Sequence, residues 1–240
     1  MLIGVVSDIH SNLVALDAAL ADMGPVDELW CLGDLVGYGP WPNECIEALR
    51  ARGVKAIAGN HDLAAIGAVP SDEFSGDAAS AATWTANELR PDNRAYLASL
   101  APMTEIDGVT LAHASPREPV WEYVLSAAAA AAGFKAFSTP LCLVGHTHVP
   151  SVFVRQKDGV APSYMPADTL FVVGSDRCIA NPGSVGQPRD RDPRSAYLVY
   201  DTIGRELRWR RVAYDVAAVQ ARMRKVGLPR FLSDRLEVGV

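Results

Sequence analysis

Apolar and polar positions in the first 60 residues follow a pattern that predicts alternating strands and helices. The run Leu2–Val6 is rich in β-branched residues, as in a buried strand. A helical stripe follows over Leu13–Met23, and Glu28–Leu32 predicts a second strand. A helix over Asn43–Arg52 and a third strand over Val54–Ala58 repeat the unit. Strands that alternate with helices in this way indicate a parallel sheet.

The rest of the chain is mostly strand-like after a helical stretch. We interpret residues 63–100 as a helical insertion over one edge of the sheet, with predicted helices at 72–89 and 91–100. Residues 118–137 are predicted to be mostly helical, and a helix over 215–226 precedes a short tail. Further strands are predicted at 103–106, 109–112, 141–144, 151–155, 169–173, 177–179, 196–200 and 206–212. Without a repeat or a long linker, residues 1–240 are expected to form a single domain.

Composition narrows the class of protein. Of the 240 residues, 49% are hydrophobic and 21% charged, which predicts a soluble globular protein. The net charge of -6 argues against a partner that is a nucleic-acid polymer, because no basic surplus can displace counterions. The absence of a signal peptide and of a long apolar run, together with four cysteines that lack a Cys-x-x-Cys pair, predicts a cytoplasmic protein without a membrane partner.

Potential metal ligands follow the ends of several predicted strands, and all five histidines lie at such junctions. Taken singly, each is weak, since a lone Asn-His or Gly-Asp is usually turn chemistry. Taken together, they would meet at one edge of a parallel sheet. Such a buried cluster of polar and ionisable groups is costly unless divalent metals bind it. The residues are Asp8, His10, Asp34, Asn60, His61, His113, His146 and His148.

The same residues lie in five motifs whose order resembles the calcineurin-like metallophosphoesterases, in particular small single-domain phosphodiesterases of bacteria and archaea. The motifs are Asp8-Ile9-His10, Gly33-Asp34, Gly59-Asn60-His61-Asp62, His113 and Gly145-His146-Thr147-His148. The resemblance covers about residues 1–200. It implies an α/β fold, a four-layer α/β-β-α sandwich with two mixed sheets and a helical insertion. It also implies metal-dependent hydrolysis of phosphate esters, with phosphodiesters favoured over monoesters.

The resemblance further implies two divalent metal ions, each with its own set of ligands. Mn²⁺ is the first expectation, with Fe, Zn²⁺ or Ni²⁺ as alternatives, because oxygen and nitrogen ligands without thiolate suit Mn²⁺, Fe and Zn²⁺ alike. A hydroxide that bridges the ions would attack phosphorus. The implied ligands are Asp8, His10 and His148 for one ion, Asn60, His113 and His146 for the other, and Asp34 as the bridge.

Other residues are candidates for catalysis and for substrate binding. The resemblance implies that His61 assists the leaving group or the transition state, and that Asp62 orients its ring. The loop over residues 181–189 either cradles an anion with its amides or is an ordinary turn cluster. Tyr38 either stacks on the substrate or packs the loop that carries it. The candidate substrate-binding residues are Tyr38, Arg117, Gly183, Ser184 and Arg189.

The partner expected from these residues is a small phosphorylated substrate. A phosphoprotein phosphatase and a dinucleoside polyphosphate hydrolase are the alternative enzymes. A metal-binding scaffold without catalysis is a third alternative, but it predicts loss of ligands, and all seven ligands and His61 are present. The natural substrate, the oligomeric state and a lid function for the insertion stay open.

Overall fold

Two six-stranded sheets lie face to face in the computed structural model, which describes residues 1–70, 73–74 and 76–240. The strands are β1 (Leu2–Val6), β2 (Glu28–Cys31), β3 (Lys55–Ala56), β4 (Met103–Ile106), β5 (Val109–Ala112), β6 (Leu141–Val144), β7 (Ser151–Gln156), β8 (Gly159–Tyr164), β9 (Leu170–Val172), β10 (Cys178–Asn181), β11 (Ser195–Asp201) and β12 (Glu206–Val212). The helices are α1 (Leu13–Met23), α2 (Pro42–Arg50), α3 (Asn60–Ala65), α4 (Gly76–Glu88), α5 (Pro91–Ala98), α6 (Ala127–Gly133), α7 (Val216–Lys225) and α8 (Arg230–Asp234), and a 3₁₀ turn covers Arg235–Glu237.

Both sheets are mixed, and their parallel strands bring several strand ends to one side. The first sheet has the order β3-β2-β1-β11-β12-β9, with β1, β2 and β3 parallel. The second has the order β4-β5-β6-β10-β7-β8, with β5, β6 and β10 parallel. In each sheet the remaining strands pair antiparallel. The carboxyl ends of the parallel strands carry the polar motifs that the sequence placed there.

Apolar side chains pack between the two sheets and on the outer face of each sheet. The inter-sheet core contains both sheets' inner faces and two fully buried tryptophans, Trp30 and Trp209. On the outer face of the first sheet, residues of α1, α2 and α5 pack together, among them Leu16, Ile46 and Leu97. On the outer face of the second sheet, α6 packs through residues that include Ala130. This arrangement confirms the predicted four-layer sandwich with two mixed sheets.

The prediction of a mostly helical segment over residues 118–137 is wrong, because only Ala127–Gly133 is helical. The carboxylate of Glu118 accepts hydrogen bonds from the backbone amides of Val120, at 3.3 Å, and Trp121, at 2.7 Å. These bonds close a local turn, and Pro119 inside it has no amide to donate. The segment before α6 is therefore a loop, which contains Trp121 and Tyr123.

Strand β8 was absent from the predicted elements. It pairs only with β7 and lies at the edge of the second sheet, with most of its residues exposed. Pro162 lies within it, and an edge strand tolerates proline because one side of its backbone needs no ladder partner. An exposed strand with proline has none of the alternating apolar pattern by which strands are recognised.

The described part of residues 63–100 is mostly helical, as predicted. It contains the end of α3 together with α4 and α5, and the predicted start of a helix at Asp72 lies outside the described residues. Helices α4 and α5 contact α2, the helix that leads into the edge strand β3. Leu89 and Leu97 join the outer apolar cluster of the first sheet. The insertion thus extends the outer helical layer.

The expectation of a short tail after the closing helix is also wrong. Helix α8 and the 3₁₀ turn follow α7, and all three pack on the loop after β2 and on α4. Leu232 and Leu236 contribute to this cluster together with Tyr38 and Ala81. Near the end of the chain, Gly239 accepts a hydrogen bond of 2.7 Å from the amide of Arg191. The C-terminal segment therefore covers one side of the polar strand ends.

Among the helices of the described residues, none is both long and apolar enough to cross a membrane.

Candidate metal centre

The backbone turns sharply where the predicted ligands follow their strands. Five of the seven have left-handed φ angles, between 49° and 64°. This conformation costs of order 1–3 kcal/mol at a non-glycine residue and persists where surrounding contacts enforce it. Close packing is one such contact, since a Cβ on Gly59 would lie 2.0 Å from Asp34 Oδ1. The five residues are Asp8, His10, Asp34, His146 and His148.

One group of ligand atoms is formed by Asp8, His10, Asp34 and His148, all of them buried and mutually within 4.8 Å. The Nε2 atoms of His10 and His148 lie 3.1 Å apart. Asp8 Oδ1 lies 3.3 Å from His148 Nε2, and Asp34 Oδ2 lies 3.6 Å from His10 Nε2. The structure therefore brings together the four residues predicted around the first ion, with donor atoms that face a common point.

A second group shares Asp34 and adds His113 and His146. Asp34 Oδ2 lies 3.4 Å from His113 Nε2. Asn60 Oδ1 lies 3.0 Å from the same nitrogen, so the amide oxygen joins this group. Asp34 belongs to both groups, which is the position required of a bridging carboxylate.

Each of the four histidines in these groups has its outer ring nitrogen at a backbone carbonyl. A carbonyl oxygen can only accept, so this nitrogen carries the proton and donates it. In the neutral ring the other nitrogen then has its lone pair free for a cation, an arrangement typical of metal-ligating histidines. The pairs are His10 Nδ1 with Val36 O at 3.2 Å, His113 Nδ1 with Leu32 O at 2.8 Å, His146 Nε2 with Trp121 O at 3.2 Å, and His148 Nδ1 with Gln187 O at 2.5 Å.

Burial sets the charge of most of these groups. It lowers the pKa of His148, lowers that of His10 well below its ordinary value, and lowers that of His146 to about 3. Asp34 and His113 behave as a pair. Burial opposes charge on both, but attraction to His113 above all holds the pKa of Asp34 well below its usual range, and the carboxylate raises the pKa of His113 to about 9. The site thus keeps its carboxylates ionised and most of its imidazoles neutral.

Among the atoms of the two ligand groups, one buried carboxylate oxygen lacks a hydrogen-bond partner. Asp34 Oδ2 has no hydrogen-bond partner among the described residues. A buried carboxylate oxygen without a hydrogen bond is costly, and a cation beside the carboxylate removes that cost. The donors are carboxylate oxygens, an amide oxygen and imidazole nitrogens without thiolate, a set that suits first-row divalent metals. The residues present therefore fit the two ions that the sequence predicts.

The structure corrects the relationship expected between Asp62 and His61. Both Asp62 oxygens accept from backbone amides, Oδ1 from Val36 at 3.0 Å and Oδ2 from Gly59 at 2.9 Å. His61 Nδ1 is buried and has no hydrogen-bond partner among the described residues. Because Asp62 occupies the third position of α3, its carboxylate bends back to the start of that helix. Close packing of Gly37 on the ring holds His61 instead.

A cavity of about 200 Å³ opens beside the two groups and is bordered by Asp34, His146 and His148. Its remaining lining includes Tyr38, Asn60, His61, Glu73, Phe74, Ala78, Trp121, Tyr123 and Arg189. Two of the residues predicted to contact substrate, Tyr38 and Arg189, line this cavity, with Arg189 Nη2 3.4 Å from Tyr38 Oη. The Tyr38 ring centroid lies 4.3 Å from that of His61 and 4.5 Å from that of His10. Tyr38 thus packs its loop and faces the cavity at once.

Sequence reasoning did not assign the aromatic wall of this cavity. Phe74, Trp121 and Tyr123 form it, and the Tyr123 ring is stacked on His146 with centroids 4.1 Å apart. Phe74 and Trp121 are in contact with centroids 5.2 Å apart. No spacing rule marks these residues, and the only available signal was the concentration of aromatic residues soon after His113.

Arg117, predicted to contact phosphate, does not line the cavity. Its guanidinium is paired with Glu122, with Nε 3.0 Å from Oε2, and its side chain is 55% exposed. A carboxylate five residues away satisfies the guanidinium locally, so no anion is needed. The interpretation of Arg117 as a substrate contact is corrected accordingly.

Gly183 and Ser184 do not line the cavity either, and the loop that contains them is not an anion cradle. The amide of Gly183 donates to Asn181 Oδ1 at 2.8 Å, and that of Gln187 donates to Ser184 Oγ at 2.8 Å. Ser184 Oγ donates in turn to the carbonyl of Asp8 at 2.8 Å. These internal bonds use the amides that a phosphate would need.

The loop instead supports the first ligands from outside. The amide of Gly186 donates to the carbonyl of Asp8 at 3.0 Å, and that of Val185 donates to the carbonyl of Ser7 at 3.0 Å. The side chain of Ser7 donates to Asp8 Oδ2 at 2.7 Å, a contact that sequence reasoning overlooked. The loop and Ser7 thus hold the backbone and carboxylate of Asp8 in place.

Comparison with known proteins agrees with this geometry. The family model described as calcineurin-like phosphoesterase superfamily domain matches residues 1–204. The chain belongs to this superfamily. Membership confirms the resemblance predicted from the five motifs, and the residues just described form the candidate metal centre of a calcineurin-like phosphoesterase.

Full-length relatives extend the agreement to the whole chain. A metallophosphoesterase from Sphaerobacter thermophilus of known crystal structure is 44% identical, with a TM-score of 0.93, covering 100% of this chain and 99% of that one. The uncharacterized protein MJ0912 from Methanocaldococcus jannaschii is 35% identical over 251 residues, 99% of this chain and 98% of that protein.

A further similarity is local. A symmetrical bis(5'-nucleosyl)-tetraphosphatase from Pectobacterium carotovorum is 41% identical over 64 residues, 25% of this chain and 23% of that enzyme.

Proposed function

We propose that this calcineurin-like phosphoesterase is a binuclear, metal-dependent phosphodiesterase. The observation that carries the proposal is the pair of ligand groups that share Asp34, whose Oδ2 is buried without a hydrogen-bond partner among the described residues. Asp190 Oδ1 is also buried without a hydrogen-bond partner in the described part of the chain, but its carboxylate is paired with Arg211 and lies outside both ligand groups. The Asp34 carboxylate lies between two sets of imidazoles at the edge of a cavity, which supports a role in binding cations next to a substrate.

Two divalent ions are part of the proposal, with Mn²⁺ first and Fe, Zn²⁺ or Ni²⁺ as alternatives. Asp8, His10 and His148 would hold one ion, Asn60, His113 and His146 the other, and Asp34 both. Bound divalent ions supply Lewis-acid activation of water and of phosphate oxygens near neutral pH. The chain contributes the geometry, since carbonyls orient the imidazoles and the left-handed turns present the carboxylates.

Three side chains would then act on the substrate directly. Arg189 supplies a positive charge at the cavity wall for phosphate oxygens, and Tyr38 supports it at 3.4 Å. His61 borders the cavity beside Asn60, where its imidazole can face the leaving group. The C-terminal helices cover the Tyr38 side of the site and limit the access of water from that direction.

The aromatic wall supports a diester in preference to a monoester. A phosphodiester carries one negative charge and two organic groups, whereas a monoester dianion offers more charge and less apolar surface. Among the described residues, Arg189 is the one Lys or Arg that lines the cavity, together with the aromatic rings of Tyr38, Phe74, Trp121 and Tyr123. One arginine and four aromatic rings suit the balance of charge and apolar surface in a diester.

A small phosphorylated substrate, no nucleic-acid polymer, no membrane partner and a cytoplasmic location complete the proposal. A cavity of about 200 Å³ supports a small substrate over a folded phosphoprotein. The four cysteines are buried and free, which supports a reducing compartment.

The test is turnover by purified, Mn²⁺-loaded protein of bis-p-nitrophenyl phosphate, a diester, and p-nitrophenyl phosphate, a monoester. We expect a higher kcat/KM for the diester. A higher value for the monoester would overturn the diester preference alone. No turnover of either substrate by protein that binds two metal ions per chain would overturn the enzymatic proposal and leave the scaffold alternative.

Hydrolysis of dinucleoside polyphosphates is the second candidate function. The aromatic wall offers stacking surfaces for a nucleobase, and the local similarity to a symmetrical tetraphosphatase favours the same substrate class. Diadenosine tetraphosphate and a phosphopeptide, assayed beside bis-p-nitrophenyl phosphate, separate the candidates. The candidate fails if kcat/KM for diadenosine tetraphosphate is below that for the simple diester.

A further inference from the structure

The imidazole of His146 is oriented by the loop between β5 and α6. Its Nε2 donates to the carbonyl of Trp121 at 3.2 Å, which leaves Nδ1 free for a cation. The backbone of His146 is held separately, because its amide donates to the carboxylate of Asp8 at 3.1 Å. The direction of the His146 ring is therefore tied to the position of the loop.

A single carboxylate closes this loop at Trp121. Glu118 Oε2 accepts from the amide of Trp121 at 2.7 Å, and Oε1 accepts from that of Val120 at 3.3 Å. The backbone of Glu118 is anchored to the end of β5, since its carbonyl accepts from the amide of Ser115 at 3.2 Å. Glu118 itself belongs to neither ligand group and does not line the cavity. Its carboxylate thus reaches the site through the backbone of Trp121.

The same arrangement occurs in the other ligand group. Asp62 Oδ1 accepts from the amide of Val36 at 3.0 Å, and the carbonyl of Val36 accepts from His10 Nδ1 at 3.2 Å. In both groups a carboxylate holds the residue whose carbonyl orients a ligand imidazole. Hydrogen bonds from an amide to a carboxylate are stronger than neutral ones, so such an anchor limits the movement of the carbonyl. Its repetition on two different loops indicates that Glu118 does more than close a turn.

We propose that Glu118 is a positioning residue for the metal ion of the second ligand group, because it holds Trp121 and thereby fixes the His146 imidazole in the direction that the ion requires. This inference rests on the two-ion site of the proposed function. It makes that ion depend on a loop whose aromatic side chains also line the cavity. The imidazoles of the other ion, His10 and His148, are oriented by carbonyls of other loops.

Titration of metal-free protein with Mn²⁺ by isothermal titration calorimetry measures the effect on metal binding. Glu118→Ala removes both hydrogen bonds to the loop amides. We expect one of the two binding steps to weaken by about 10-fold, the lower end of the loss caused by a missing ligand partner, because the Trp121 carbonyl is loosened and not removed. The other step should change by less than about twofold, as at an independent site. Glu118→Gln keeps an oxygen that can accept from Trp121, so it should recover most of the affinity.

The ¹⁵N NMR signals of the histidine rings in metal-free protein measure the orientation of His146 independently of metal binding. In the wild-type protein, His146 should show one neutral tautomer with its proton on Nε2. Glu118→Ala should give a mixture of His146 tautomers and leave the signals of His10, His113 and His148 unchanged. The signal that disappears in His146→Gln assigns His146. An unchanged His146 signal in Glu118→Ala would mean that Glu118 only closes the turn, and the proposal would be overturned.

The matched control is Asp215→Ala. Asp215 also accepts from a backbone amide, that of Ala218 at 2.9 Å at the start of α7, but it belongs to neither ligand group and does not line the cavity. Its removal should leave both binding steps unchanged. If Glu118→Ala is poorly folded by circular dichroism, Glu118→Met replaces it, since methionine keeps the length of the side chain without a strong acceptor.

Three results of the titration would overturn the positioning role of Glu118. They are unchanged Mn²⁺ affinity in the Glu118 variant, equal weakening of both binding steps, and a loss in Asp215→Ala that matches the loss in the Glu118 variant.

The outcome for Glu118 is separable from that for the proposed function. Glu118-dependent binding of one Mn²⁺ ion by a protein that hydrolyses neither nitrophenyl ester would support the positioning role and overturn the proposed function. Turnover of bis-p-nitrophenyl phosphate by a protein whose Mn²⁺ affinity does not depend on Glu118 would support the proposed function and overturn the positioning role.

Discussion

The two ends of the inter-sheet core are built from the same strands and differ in chemistry. At the carboxyl ends of the parallel strands lies the cavity of about 200 Å³ beside Asp34. At the opposite end lies a larger cavity of about 440 Å³, bordered by Ile3, Val109 and Leu141, near the starts of β1, β5 and β6. In the described part of the chain, both clusters of potential metal ligands are at the first end.

The difference shows that volume does not locate function in this fold. At the opposite end, the residues that begin the strands continue the apolar core. The polar residues that border the larger cavity, such as Asp107 and Arg205, are dispersed. Residues that follow a strand at the ligand end are free of the sheet ladder and can turn back over it. Several parallel strands end there and direct their side chains to one point, so the potential metal ligands lie at that end.

The largest expected effect is loss of the bridging carboxylate. Asp34→Asn keeps the size of the side chain but removes the charge shared by both ligand groups. We expect kcat/KM for bis-p-nitrophenyl phosphate to fall by about 10³-fold or more, because metal binding supplies several kcal/mol of transition-state stabilisation. The metal content of the variant, measured by mass spectrometry, should be below two ions per chain.

The matched control lies at the opposite end. Asp107→Asn makes the same chemical change at the border of the larger cavity, where Asp107 is 59% exposed and 3.8 Å from Lys55 Nζ. It should leave both turnover and metal content unchanged. If the two variants lost activity equally, the distinction between the ends would be wrong.

A smaller effect is expected from adding a methyl group beside the Asp34 carboxylate. Gly59→Ala introduces a Cβ that would lie 2.0 Å from Asp34 Oδ1 and 2.4 Å from its amide nitrogen. Relieving this contact displaces the carboxylate, so we expect kcat/KM to fall by about 10- to 100-fold. Strain of about 1–3 kcal/mol should lower Tm by several degrees in calorimetry.

Gly174 offers the comparison for this substitution, since it lies next to Val173 at the border of the opposite cavity and a Cβ there meets nothing within 4 Å. Gly174→Ala should change neither Tm nor turnover measurably. A Gly59→Ala protein with wild-type turnover would show that the close contact with Asp34 does not position it.

A further step down in effect concerns the support of Asp8. Ser7→Ala removes the hydroxyl that donates to Asp8 Oδ2 at 2.7 Å. Loss of such a partner typically weakens metal binding by about 10- to 100-fold, and we expect the lower end of this range because the Gly186 amide still holds the Asp8 backbone. Titration of metal-free protein with Mn²⁺ measures the change.

Ser195→Ala is the control for Ser7→Ala. Ser195 is equally buried, but its hydroxyl has no hydrogen-bond partner among the described residues. Removing it should leave metal affinity unchanged and stability equal or slightly higher. Equal loss of affinity in the two serine variants would attribute the effect to packing instead of to the hydrogen bond.

The comparison of the two ends also shows how far the sequence predicts this protein. Strands and ligands at the carboxyl ends were predictable, because the apolar runs are local and each motif directly follows one, as Asp8 follows β1. The partners of these ligands were not predictable in the same way. Ser7 could not be distinguished from an ordinary turn residue, although it donates to Asp8. The Asp62 carboxylate accepts from backbone amides because Asp62 lies in the first turn of α3.

Features made by distant contacts were the ones that sequence reasoning missed. Strand β8 exists because β7 offers it an edge, although Pro162 and its exposure hide the strand pattern. Leu232 and Leu236 are brought into one cluster with Tyr38 by packing of the C-terminal segment, although nothing in the local sequence marks that contact. Local periodicity contains no information about which surfaces such segments meet.

The smallest expected effect concerns substrate binding by Tyr123 in the cavity beside the metal centre. Tyr123 is 46% exposed and stacks on His146 at 4.1 Å, so its ring forms part of the cavity wall without holding a metal. Tyr123→Leu removes the aromatic face but keeps an apolar side chain. We expect KM for bis-p-nitrophenyl phosphate to rise by about two- to tenfold, the value of an aromatic contact of ~0.5–1.5 kcal/mol, with kcat little changed. Tyr164→Leu, at a residue 50% exposed and outside this cavity, should leave KM unchanged. A fall in kcat with constant KM would mean that Tyr123 acts by orienting His146, and the aromatic wall would then belong to the metal centre and not to substrate binding.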